Sequence, residues 1–277
     1  MSISEKRLVT YHNDLNEISM KSWNSEEMDF FFSIIYKIKN LGTKEVSFDT
    51  DEIKELADFN DRTYRWVNVL KGVAEKVINI KYIEQTEDKI RYFMLFQEFT
   101  IDISNKQVSL KVSDRFDYIV NKIQANFTVF ELSEFTRLKS TYSKTMYRNL
   151  KQWKSIGKKE YTIEQFRSIL EIPDSYDSGK INSRVIKQIR KELSAYFEDL
   201  KIKTIKSNKK GTPITGFCFT WKPQTSSKPK FIADKYKKEN ESKKRKEELR
   251  NRNIDENSPE MNALIERLNQ KKDKNID

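Results

Sequence analysis

Apolar positions along the chain switch between a helical period and a strand period in an order that occurs twice. Met28, Phe31, Phe32, Ile35 and Ile38 recur at helical spacing after Ser25, a suitable N-cap, and the pattern stops at Leu41-Gly42. A short strand is expected at Val46-Ser47-Phe48. Next comes a short helix over Asp51 to Asp58, with Ile53, Leu56 and Ala57 on one side and Thr50 as its cap. A third helix carries Trp66, Val69, Leu70, Val73 and Val77, and a β-rich stretch runs from Tyr82 to Val112 with a hairpin turn at Thr86-Glu87-Asp88. Residues up to about Ser22 show no period and read as irregular.

The second occurrence begins with a long helix expected from Leu132 to Ser155, stopping at Ile156-Gly157. A strand at Tyr161-Thr162-Ile163 follows. A short helix then carries Phe166, Ile169 and Leu170, and ends before Pro173 because proline disfavours helical geometry in the preceding residue. A third helix is expected over Lys180 to Phe197, then strands at Leu200 to Lys206 and Ile214 to Trp221. KNLGTKEVSFDTDEIKEL lies over KSIGKKEYTIEQFRSIL at an offset near 115 residues. Helix, strand, helix, helix, hairpin is the order of a winged helix. The expected fold class is therefore α+β: two tandem winged helices, 1–126 and 127–223, and a charged tail, 224–277, read as disordered or helical.

Charge sharpens this division. Of a net charge of +11, residues 127–223 hold 20 basic and 10 acidic side chains, whereas 1–126 hold 18 basic and 21 acidic. Concentration of positive charge in one segment points to a polyanion. A winged helix, being a helix-turn-helix variant, presents its third helix to the major groove. At 100° per residue, Ile181, Val185, Ile186, Ile189, Leu193, Tyr196 and Phe197 share one side. Lys180, Ser183, Arg184, Lys187, Arg190, Lys191 and Ser194 share the other, with Gln188 at its edge and no acid among them. Arg can pair bidentately with guanine and Gln with adenine, so Arg184, Lys187 and Gln188 are the candidates for base edges. Lys180, Ser183 and Lys191 are the candidates for phosphate. The bland alternative is a solvated face on an ordinary surface helix. Lys206, Lys209 and Lys210 form a basic wing turn. The corresponding start in the first segment, Asn60 to Arg65, is poor in cations, and only Arg62 and Arg65 are accessory candidates there. The polar side of the helix containing Arg137 to Lys144 is a further candidate for phosphate.

The stretches FELSEFTRLKSTYSKTMYRNLKQWKSIGK, YTIEQFRSILEIP, INSRVIKQIRKELSAY and KKGTPITGFCFTW resemble the iteron-binding plasmid replication initiators, as does the opening YHNDLNEISMKSWNSEEMDFFFSIIYKIK. The resemblance covers about residues 8–223. It implies a C-terminal winged helix that binds repeated origin sequences as a monomer, origin opening, and recruitment of host replication proteins. It also implies an N-terminal winged helix that dimerises, the dimer repressing its own promoter at an inverted repeat. A winged-helix transcriptional regulator is the alternative. Independently, Tyr92-Phe93-Met94-Leu95-Phe96 is apolar without alternation, so both faces of that strand need cover, either from one domain or from a second subunit.

Enzyme chemistry is not expected, nor a cofactor or metal. His12 is the single histidine and Cys218 the single cysteine. A histidine pair for a nickase metal and a Cys or His zinc site are both excluded within one chain. Gly211-Thr-Pro-Ile-Thr-Gly216 has P-loop glycine spacing, but Phe217-Cys218 stands where Lys-Ser/Thr is required. Asp49, Asp51 and Glu52 are explained by an acid-rich first helical turn. The absence of an apolar leader or span and the lone cysteine fit a reducing, cytoplasmic setting without membrane contact. In the tail, Ser258-Pro259 followed by Met261, Leu264, Ile265 and Leu268 is either a docking peptide or a frayed end.

Overall fold

The computed structural model describes residues 6–20, 22–60, 65–121, 123, 125–209 and 213–224. The expected elements in the tail beyond 224 lie outside them, as do Arg62 and Lys210.

The first winged helix starts with α1 (Ser25–Ile38). Its cap is Asn24 rather than Ser25: the Asn24 side chain accepts from Glu27 N, and the Glu27 carboxylate accepts from Asn24 N, a capping box. β2 (Val46–Asp49) leads into α2 (Thr50–Leu56), where Asp49 takes the capping role expected of Thr50. α3 (Arg65–Val77) follows, buried through Trp66, Val69, Leu70, Val73 and Val77, the residues read from its period. β3 (Lys81–Gln85) and β4 (Ile90–Met94) form a hairpin closed by Thr86 N donating to Lys89 O. β5 (Phe96–Asp102) and β6 (Gln107–Val112) join β2 in an antiparallel sheet of order β2-β6-β5. A short helix, α4 (Asp117–Val120), closes this half.

The residues expected to be irregular at the N-terminus contain β1 (Leu8–His12), which pairs antiparallel with β7 (Phe127–Glu131), Leu8 opposite Glu131 and His12 opposite Phe127. Alternation is absent because Val9, Thr10 and Tyr11 are all buried. The long helix expected from Leu132 is two: α5 (Leu132–Thr136) and α6 (Thr141–Gln152). The break has a physical cause. Ser140 caps α6 by accepting from Ser143 N, and the Glu192 carboxylate, arriving from the third helix, accepts from Lys139 N and Ser140 N.

The second winged helix continues with β8 (Lys158–Thr162) and α7 (Ile163–Leu170). Its third helix spans α8 (Ser178–Lys180), a π-helical segment (Ile181–Ile186) and α9 (Lys187–Leu193), end to end. β9 (Lys201–Lys206) and β10 (Ile214–Thr220) complete a sheet of order β8-β10-β9, the counterpart of β2-β6-β5. Gly42 and Gly157, the glycines that align the two repeats, both have positive φ, +80° and +74°. At Gly157 a Cβ would lie 2.7 Å from Trp221 O, so no side chain fits there.

One hydrophobic core runs through both halves. Aromatic rings carry it: Tyr11 to Phe32, Phe32 to Phe135 at 4.8 Å, Phe130 to Tyr147, Tyr147 to Phe197, and Phe197 to Trp221, with the other centroid separations between 5.4 and 5.9 Å. Such a chain of edge-to-face contacts supplies burial that a sequence poor in aliphatic residues lacks. Buried cations accompany it. Lys144 Nζ donates to Asp29 Oδ1 at 2.5 Å and to Phe135 O at 2.8 Å. Arg148 is fully buried over the Phe32 ring and donates to Leu15 O. Both lie on α6, so the polar side of that helix, expected to face phosphate, is turned into the core from Lys144 onward. Arg137 and Lys139, ahead of α6, remain exposed.

Candidate nucleic-acid interface

The third helix of the second repeat buries Ile181, Val185, Ile186, Ile189 and Leu193 and ends at Leu193, four residues earlier than expected. The π segment has a wider turn than an α-helix, so a spacing of four keeps the buried stripe on one side where a 100° wheel would let it drift. Ser183 contributes to the altered pairing: its Oγ donates to Gly179 O at 2.9 Å.

Lys180, Ser183, Arg184, Lys187 and Lys191 are exposed, together with Asn182 and Arg190, which the base and phosphate assignments leave out. These side chains are not equally free. Lys180 Nζ folds back to donate to Ser175 O at 3.3 Å. Arg184 Nη1 donates to Tyr176 Oη at 3.3 Å, with the guanidinium 5.5 Å from the ring centroid. Arg190 Nη2 donates to Ile202 O, joining the helix to strand β9. Lys187 and Lys191 have no ion pair among the described residues.

Gln188 is half-buried, and its Nε2 donates to Glu192 Oε1 at 2.5 Å. One of the two N–H donors of the amide is therefore engaged, leaving the other N–H and the carbonyl oxygen. Glu192, the acid on α9, is turned toward the N-terminus of α6, where its charge meets the helix dipole. Seen from solvent, the face from Asn182 to Lys191 carries cations without an acid.

On the hairpin, Lys201, Lys203, Lys206 and Lys209 are all exposed, with Ser207 N donating to Pro213 O across the turn. In the first repeat, Arg65 is exposed but engaged: Nη1 and Nη2 donate to the two Glu26 carboxylate oxygens at 2.6 and 3.0 Å, and its guanidinium lies 4.7 Å from the Phe59 centroid. The Glu26 carboxylate thus neutralises the Arg65 charge on that surface.

Sequence reasoning missed Tyr176. It sits in the turn after Pro173, outside any helical period, so no spacing rule connects it to Arg184. Tyr142 lies beside it. Burial, and secondarily the Tyr176 hydroxyl, push the Tyr142 phenol above its ordinary range.

His12 accepts from Asp14 N and packs edge-on against Tyr118, a capping position at the start of a short 3-10 turn. No group of three or more His, Cys, Asp or Glu side chains that could hold a metal occurs among the described residues. No helix among the described residues is long and apolar enough to cross a membrane.

Comparison with known proteins agrees with this architecture. The chain matches the family model described as initiator replication protein, WH1, over residues 8–151, and that described as initiator Rep protein, WH2, over residues 162–221. A probable replication protein rep of Bifidobacterium longum (strain NCC 2705) is 27% identical over 227 residues, covering 79% of this chain and 73% of that protein. The crystal structure of the Pi initiator protein in complex with iteron DNA superposes with a TM-score of 0.62 at 13% identity, over 80% of this chain and all of that one. The fold of two winged helices is thus shared. With both of the family's winged-helix models matched in order, the chain belongs to the initiator replication proteins, a DNA-binding family.

Proposed function

We propose that the chain initiates replication of a plasmid by binding direct repeats at its origin through the second winged helix. The carrying observation is the acid-free, cation-bearing face from Asn182 to Lys191, with the wing lysines Lys206 and Lys209 on the same unit. Arg184, Lys187 and Gln188 are assigned to base edges, and Lys180, Ser183 and Lys191 to the backbone. The wing, with Lys206, Lys209 and Lys210, tracks neighbouring phosphates. The repeats in the DNA bound by the Pi initiator are a property of that protein, and their transfer to this chain is part of the proposal. Opening of the adjacent duplex and recruitment of host replication proteins complete the reading, in the cytoplasm and without a cofactor.

The same chain, as a homodimer, represses its own promoter at an inverted repeat. Support comes from the β3–β4 hairpin. Phe93 packs inward against Phe116, while Ile90, Tyr92 and Met94 on the other face of β4 are 56, 68 and 45% exposed. A strand with apolar side chains on both faces and one face open suits a second subunit. Replacement of Tyr92 by Lys is expected to convert dimer to monomer by light scattering with the melting temperature unchanged; a dimer that persists removes this surface from the interface.

Nuclease footprinting on the DNA upstream of the gene tests the whole proposal. Several protected direct repeats are expected. A single protected palindrome would make the protein a transcriptional regulator, and no discrete footprint would make it a non-specific DNA binder.

A further inference from the structure

The turn between α7 and α8 is fixed more firmly than its exposed residues suggest. Arg167, on α7, donates from Nη1 to Pro173 O at 3.3 Å and from Nη2 to Tyr176 O at 2.5 Å. Tyr176 N donates to Pro173 O at 2.9 Å, closing the turn on itself. The Tyr176 side chain is half-buried against the core. These contacts give the ring a fixed seat, and the Arg184 guanidinium rests on it.

An exposed arginine on a helix has many rotamers to lose when it binds. Arg184 instead has a stacking partner within the range of a cation–π contact and a hydrogen bond to the same residue. The two contacts leave most of its recognition capacity intact. A guanidinium has five N–H donors, and Tyr176 uses one. Stacking engages the plane of the group, whereas a bidentate bond to guanine O6 and N7 uses its edge.

We propose that Tyr176 is a positioning residue for DNA recognition, holding Arg184 on the exposed face of the third helix so that it meets a base edge already ordered. This rests on the reading that Arg184 contacts a base. Tyr176 itself needs no DNA contact, and its effect passes through Arg184.

The test uses the full chain and three duplexes: the segment protected in the footprint, that segment changed at the base pair where Arg184→Ala relaxes preference, and a random duplex of equal length. Affinities are measured by fluorescence anisotropy for the wild type, Tyr176→Phe, Tyr176→Leu, Arg184→Ala and the Tyr176→Leu/Arg184→Ala pair. Tyr176→Leu is expected to weaken binding to the protected segment by about 3-fold, the scale of one exposed cation–π contact, with the random duplex unaffected. Tyr176→Phe, which keeps the ring, should lie between it and wild type. The double variant should bind no more weakly than Arg184→Ala alone.

Three results would overturn the proposal: tighter binding by Tyr176→Leu, equal loss on all three duplexes, or additive losses in the double variant. If Tyr176→Leu melts below the wild type, Tyr176→Phe carries the same comparison through the lost hydroxyl. Failure of the underlying reading looks different. Arg184→Ala would then leave base preference unchanged, whereas relaxed preference with Arg184→Ala and none with either Tyr176 variant rejects only the positioning role.

Discussion

Arg184 and Gln188 show how neighbours decide what an exposed side chain can do. Arg184 keeps its recognition edge while stacked on Tyr176. Gln188 has one amide N–H bound to Glu192 and retains the other N–H and its carbonyl oxygen. Arg184→Ala is therefore expected to cost about 1–3 kcal/mol of specific binding and to relax preference at one base pair. Gln188→Ala should cost less, since Glu192 already holds one of its N–H donors and restricts how the half-buried amide can turn to a base. Titration of both variants against the footprinted duplex checks the order; a larger loss for Gln188→Ala would mean that the Glu192 contact opens on binding. The cationic residues of the third helix were legible from the sequence because charge and apolar period separate cleanly there. The Gln188–Glu192 contact was legible in principle, being an i,i+4 pair. Tyr176 was not, because its relation to Arg184 exists only once the turn after Pro173 is folded.

At the scale of elements, local pattern identified most of the fold, and the exceptions share one cause. The two repeats, their strands and the hairpins follow from period and glycine placement. β1 was missed because burial on both faces removes alternation, and its partner strand lies about 120 residues away. The break between α5 and α6 was missed because the apolar period continues across it while the capping acid, Glu192, comes from a different helix. Where an element is set by a distant partner, a window of the sequence does not contain the cause. The wing behaves differently, since its lysines were plain from sequence and Lys201, Lys203, Lys206 and Lys209 are exposed. Lys206→Ala with Lys209→Ala is expected to weaken binding to all sequences alike. Each lost phosphate contact should also flatten the log affinity against log salt slope by about 0.9. Anisotropy across a salt series checks this, and an unchanged slope would place the wing away from the backbone.

At the scale of the whole molecule, α6 sends its cations into the core against α1. Lys144 is fully buried and pairs with Asp29 on α1, and Arg148 lies over Phe32 from the same helix. Removing one partner of a buried pair leaves an uncompensated charge, whereas removing both does not. Lys144→Met should thus destabilise the chain by about 3–5 kcal/mol, and adding Asp29→Leu should restore much of the loss, as urea titration would reveal. The pair also predicts a pH dependence. Burial outweighs the attraction of Lys144 and pushes the Asp29 carboxyl up from 3.8 to about 7. Between roughly pH 4 and 7 the folded chain then holds a proton that the unfolded chain has released, so stability falls as pH rises through that window. Burial lowers Lys144 from 10.5, which makes the folded chain release a proton that the unfolded chain keeps, and this gives a slope of opposite sign in the range below 10.5. Asp29→Asn removes the first contribution, so its unfolding free energy relative to wild type should rise steadily from pH 4 to 7. A difference that stays flat across that range would mean that Asp29 is ionised throughout, with Lys144 holding the carboxylate in place despite its burial.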